Sequence, residues 1–111
     1  MIDWERVADL RSEVGEDDFF EVVELFLEEV EEVIDRLTRS PEPARFEDDL
    51  HFLKGSALNL GFRHFSGLCQ TGEKLSAAGK GDQVDIEKVL ASYRESRQIF
   101  LHDLPQHTRA A

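Results

Sequence analysis

The stretch from Asp17 to Thr38 reads DDFFEVVELFLEEVEEVIDRLT. Phe20, Val23, Leu27, Val30, Ile34 and Leu37 follow one another in steps of three and four, which draws one apolar stripe down an α-helix. Phe19, Phe26 and Val33 widen the stripe, and the acids at 21, 24, 28, 31, 32 and 35 lie largely away from it. Asp17 and Asp18 suit the positive N-terminal end of such a helix, and Arg36 and Arg39 its negative end. The spacing predicts a long helix over 17–38.

The same period of 3.6 governs the flanks, and no segment alternates with the period of two that a strand requires. Gly15, Ser40-Pro41-Glu42-Pro43, Gly61 and Gly79-Lys80-Gly81 are the breaks. Before the long helix, residues 3–14 read as a short one, with Asp3 as N-cap and Trp4, Val7, Leu10 and Val14 at helical spacing. After it, Pro43 opens a third helix at a position where its missing N–H costs nothing. That helix runs through Leu60 to a left-handed stop at Gly61, with Phe46, Leu50, Leu53, Ala57 and Leu60 inward. A fourth covers about 62–78, with Phe65, Leu68, Cys69 and Leu75 inward. A fifth starts near Asp82 or Asp85 and runs to about Asp103, with Pro105 just beyond its end. Val89, Leu90, Tyr93 and Phe100 supply its apolar side. Four helices of this length with short connections imply an all-α, antiparallel up-down-up-down four-helix bundle, one domain over 1–111. The short first helix is expected to close one end, with Ile2 and Trp4 packing there.

The chain has 111 residues, 13 Lys+Arg against 24 Asp+Glu, and a formal net charge of −11. That acidity argues against nucleic acid and against an anionic membrane surface as partners. It is unevenly placed: residues 1–50 carry a net of −13 and residues 51–111 a net of +2. Cys69 is the single cysteine, which excludes an internal disulfide and a multi-cysteine zinc site. No apolar run approaches the roughly 18 residues of a membrane span, and the N-terminus lacks the pattern of a signal peptide. A cytoplasmic, monomeric protein is expected.

The chemistry is concentrated in His51-Phe52-Leu53-Lys54-Gly55-Ser56. His51, Lys54 and Gly55 share one helix face, at the edge of the inward stripe. Helical side chains lean toward the N-terminus, so the residue at i+4 covers residue i. For His51 that residue is Gly55, which leaves the imidazole uncovered. Lys54, at i+3, leans back and brings an ammonium close to anything attached to the ring. A neutral imidazole nitrogen can accept a phosphoryl group, whose added negative charge the lysine would meet. Each feature also has a plain explanation: a surface histidine, a solvated lysine, a glycine that lets two helices pack closely. Together on one face they favour the chemistry. Ser56 and Asn59 lie near this face. Leu58, with Phe52 or Phe62 nearby, would form a docking patch, or would be plain core packing. Arg63 and Lys74 add basic charge near the site. His64, His102 and His107 read as surface residues, and Cys69 as a small core residue.

His51-Phe52-Leu53-Lys54-Gly55-Ser56-Ala57, followed by Leu60-Gly61, resembles the signature of histidine-containing phosphotransfer (HPt) domains. The resemblance extends through Cys69 to the Gly79 turn. It implies that His51 carries a phosphoryl group on Nε2, that Lys54 assists the phosphorylated state, and that Gly55 admits the partner. It implies a phosphoryl carrier without its own nucleotide site or cofactor, working between receiver-domain aspartates or with a hybrid histidine kinase, the receiver supplying Mg²⁺. Some members of that family hold the second ring nitrogen with a glutamine on the following helix. The matching position here is Glu73, and Gln70, one turn earlier, is the other candidate. The competing expectation is a non-phosphorylated helical adaptor that binds signalling partners through the same face.

Overall fold

The computed structural model describes residues 1–108, in which five α-helices follow one another. They are α1 (Trp4–Val14), α2 (Glu16–Arg39), α3 (Phe46–Leu60), α4 (Arg63–Ala77) and α5 (Ile86–Thr108), with short 3₁₀ turns at Pro43–Arg45 and Gly81–Gln83. Among the described residues there is no strand, and Ile2 and Phe62 form one isolated antiparallel bridge. The helices make a bundle of 48 × 22 × 21 Å around a single apolar core.

The breaks act as their residue types dictate. Asp3 caps α1 by accepting the Arg6 amide at 3.3 Å. Gly15 alone separates α1 from α2, at φ 88° and ψ 149°, a conformation costly for any residue with a Cβ. Pro43 opens a 3₁₀ turn that leads into α3, and Gly61 stops α3 in the left-handed region at φ 76°. Gly61 also receives the N-terminal segment. The Asp3 amide donates to its carbonyl at 2.7 Å, and a Cβ there would stand 2.6 Å from the Asp3 carbonyl oxygen. The first helix is thereby tied to the α3–α4 turn and closes one end of the bundle.

In α2 the buried line is Phe19, Val23, Leu27, Val30, Ile34 and Leu37. Phe19 therefore takes the place that periodicity assigned to Phe20, which is 55% exposed. At 3.6 residues per turn, Phe19 lies about 40° from the centre of the stripe set by the later residues and Phe20 about 60° on its other side. The nearer ring is buried, and Phe20 stands edge-on to it at 5.4 Å. The five apolar residues that the sequence marked inward on α3 are all buried, and Asp49 and Ser56 are buried with them. In α4, Phe65 and Cys69 are buried, whereas Leu68 packs at the margin of the core. Leu75 is half-buried.

The fifth helix corrects the expected end at Asp103: it continues through Pro105. Proline inside a helix removes one backbone bond and costs about 3 kcal/mol. Packing on both sides of it offsets that cost. Leu104 is buried in the core, and Trp4 of α1 stacks on Phe100 at 5.8 Å and on His107 at 3.7 Å. His107 is thus an exposed residue with a specific ring partner.

The α3–α4 pair is the closest in the bundle and frames the site. Its closeness depends on Gly72 of α4, where a Cβ would lie 2.6 Å from Leu50 Cδ1 and 3.3 Å from Val84 Cγ1. On its other side, α3 is fastened to α2 by Asp49, which is buried and accepts both Arg36 guanidinium nitrogens at 2.7 and 2.8 Å. Such a two-pronged pair fixes orientation as well as distance.

Candidate functional site

His51 lies on the second turn of α3, just outside the buried line through Leu50 and Leu53. Its side chain is 69% exposed. Gly55, one turn on, leaves open space above it: a Cβ there would meet no atom within 4 Å. The lean of helical side chains predicts this opening.

The second ring nitrogen is held. His51 Nδ1 lies 2.7 Å from Glu73 Oε2, on α4. The other oxygen of that carboxylate accepts the Lys54 ammonium at 2.6 Å. One side chain thus bridges the histidine and the lysine, and at 19% exposure it is well screened from solvent. The Lys54 ammonium, and after it the bond to His51, hold the Glu73 carboxyl below the usual range against the opposing effect of burial. It is therefore ionised at neutral pH. An ionised carboxylate only accepts hydrogen bonds, so in the neutral ring the proton sits on Nδ1. Nε2 is then left with its lone pair, on a ring whose side chain is largely exposed.

Of the two residues considered for orienting the ring, Glu73 makes the contact. Gln70 is exposed and makes no bond to the ring. A three-residue step leaves the two side chains about 60° apart on a helix, which turns Gln70 toward solvent.

The residues considered for docking divide. Leu58 is 57% and Phe52 38% exposed, so both present apolar surface on α3 beside the histidine. Arg63 is exposed and pairs with Asp3 at 2.9 Å, holding that carboxyl below its usual range. Asn59 is half-buried and links elements: it donates to the Gly55 carbonyl at 3.2 Å and accepts from Arg6 of α1 at 3.0 Å. Phe62 and Ser56 are corrections. Phe62 is 1% exposed, because the turn at Gly61 swings its ring inward, where it meets Phe100 edge-on at 5.3 Å. Ser56 is buried on the inner side of α3, next to Ala57. Neither offers docking surface.

The ion pair between Arg36 and Asp49, two residues before His51, escaped the sequence reading, which took Arg36 as a charge for the end of α2. The one available signal was an acid directly beside the buried Leu50. Cys69 is wholly buried, and burial pushes its thiol up to about 12. His102 is exposed, with Nδ1 2.8 Å from Asp103. Among the described residues, no group of three or more His, Cys, Asp or Glu is arranged to hold a metal ion.

A family model described as Hpt domain matches residues 21–107, from α2 into the last turn of α5. No curated protein and no solved structure gives a significant match.

Proposed function

The chain belongs to the Hpt domain family, and on that premise we propose that it relays phosphoryl groups through His51 between receiver-domain aspartates. Hpt domains carry out histidine phosphotransfer in phosphorelay signalling and interact with receiver domains and kinases. The observation that carries the finer reading is the environment of His51. Its Nδ1 is held by Glu73 at 2.7 Å, and the space above the ring at Gly55 is empty.

On this reading Nε2 attacks the phosphorus of an aspartyl phosphate. The P–O bond to the aspartate breaks, and the carboxylate leaves with the electron pair. Lys54 meets the charge of the phosphoryl group, and Gly55 lets the partner's active site reach the ring. Transfer of this kind depends mainly on positioning and charge neutralisation, so the chain needs no nucleotide site, and Mg²⁺ belongs to the partner receiver domain. Leu58 and Phe52 supply apolar docking surface, with Arg63 at the rim. Receiver active sites are acidic, and the nearly neutral second half of the chain suits them better than the first. We place the relay in the cytoplasm as a monomer, with α2 to α5 running up-down-up-down as their short connections suggest. Among the described residues no helix is long and apolar enough to cross a membrane.

The test is incubation with a phosphorylated receiver domain and Mg²⁺. Acid-labile, alkali-stable label appears on the wild type and is absent from His51→Gln. An adaptor would bind equally well with either residue, so retained function in His51→Gln would replace this reading with that one.

A further inference from the structure

Because Glu73 is a carboxylate that touches both Nδ1 of His51 and the ammonium of Lys54, we infer that it keeps a proton on Nδ1 through the whole transfer cycle, so that His51 always leaves the phosphoryl group as neutral imidazole. The inference rests on phosphorylation at His51 Nε2 and specifies how that site is poised.

The step balances without any proton moving. When Nε2 of the neutral ring captures the phosphoryl group, Nδ1 still carries its hydrogen, and the product ring is an N-phosphoryl imidazolium. When an incoming aspartate oxygen then attacks phosphorus, the P–Nε2 bond breaks and its electron pair returns to Nε2. If Nδ1 is still protonated, the departing group is neutral imidazole. If Nδ1 has lost its proton, the departing group is imidazolate, a far poorer leaving group. Donation therefore depends on retaining that proton.

The chemistry of the side chain decides whether it is retained. An amide at position 73 could accept from Nδ1–H, or turn over and donate to a bare Nδ1. An ionised carboxylate can only accept, and it would face a bare lone pair at 2.7 Å with nothing to offer it. The ionised state of Glu73 is maintained by Lys54 at 2.6 Å. The imidazolium also gives the carboxylate a positive partner at the stage when the phosphoryl group draws Lys54 toward itself. Glu73 thus exchanges one cation for another as the ring is loaded, and recovers Lys54 as it is unloaded. The other charged side chains near the ring on these helices are Glu47 and Asp48 on α3 and Lys74 on α4. All three are exposed and make no bond to the ring. Glu73 acts through His51 and is a positioning residue.

The experiment loads His51 with phosphoramidate, a small donor that needs no docking, and follows donation to an unphosphorylated receiver domain from mildly acid to alkaline pH. The wild-type rate should stay level across this range. Glu73→Gln should still accept label, and its donation should fall about tenfold toward alkaline pH, the effect of removing one opposite charge from beside a titrating group. In ¹⁵N NMR, wild-type phospho-His51 should show a protonated Nδ1 at an alkaline pH where free N-phosphoimidazole has lost its proton. This measurement needs no variant. Superimposable pH profiles for wild type and Glu73→Gln, or a bare Nδ1 in the wild-type phosphoprotein, would overturn the inference and leave the relay intact. Absence of label on wild-type His51 from either donor would overturn both.

Discussion

Two glycines on neighbouring helices have opposite surroundings. At Gly55 on α3 an added Cβ would meet nothing within 4 Å, whereas at Gly72 on α4 it would collide with Leu50. The first lies on the flank of α3 that carries His51 and Leu58. The second lies on the flank where α3 and α4 are pressed together, and it brings Glu73, the next residue, close enough to reach the histidine. Glycine inside a helix costs roughly 0.5–1 kcal/mol relative to alanine. At Gly72 close packing offsets that cost. At Gly55 no packing does, and on the proposed reading its use is access for a partner. The two flanks of one helix therefore separate what holds the site from what the site is for.

The sharpest test of that separation is Gly72→Val. Forcing a branched side chain against buried Leu50 and Val84 should destabilise the fold by about 3 kcal/mol. Denaturant unfolding measures this, and an unchanged midpoint would mean that the α3–α4 contact is not as tight as its geometry implies. Gly55→Leu should do the reverse. Its stability should equal or exceed the wild type by up to about 1 kcal/mol, while phosphoryl transfer from a receiver domain falls about 100-fold, because the reacting atoms are held apart. Normal transfer in a folded Gly55→Leu protein would remove the access argument.

Arg36→Met is a third probe of the packed side. It strands the buried Asp49 carboxylate, and the expected loss is about 2 kcal/mol, below that of a fully buried pair because Arg36 is partly in solvent. Asp49→Asn in the same background should recover part of this loss. The smallest effect concerns pH. Glu73 has a folded-state pKa below its unfolded value, chiefly because of Lys54. Its contribution to stability is therefore complete above the unfolded pKa and disappears as pH falls through the lowered folded one. Lys54→Met removes the main cause and should move the Glu73 titration up toward the usual carboxylate range, as followed by carboxyl ¹³C NMR. No movement would mean that the short Lys54–Glu73 contact is not maintained in solution.

Much of this arrangement was legible in the residue order, for reasons that differ by element. The helices and most of their inward faces follow from periodicity, since burial of one face imposes a repeat of 3.6 along the chain. The alignment of His51, Lys54 and Gly55 follows from the same geometry within a single helix. Phe19 and Phe20 mark where this reasoning stops. Adjacent positions near the edge of a stripe satisfy the period almost equally well, and the packing of the neighbouring helices selects between them. The end of α5 fails differently. Pro105 is a strong local stop signal, and burial of Leu104 in the core together with the stacking of His107 on Trp4 of α1 outweighs it.

The sequence by itself determined the all-helical class, the stripes that face the core, and the presence of a histidine, a cation and a vacancy on one surface. These are properties of one helix at a time, set by covalent spacing and side-chain direction. Only the tertiary structure decided that Glu73 and not Gln70 meets the imidazole, that the same carboxylate holds Lys54, that Asp49 fastens α3 to Arg36, and that Phe62 and Ser56 turn inward. Each of these depends on the rotation and separation of two helices relative to one another. No repeat within either helix records that relation, because it is set where both surfaces pack together, at Leu50 against Gly72 and at Asp3 against Gly61.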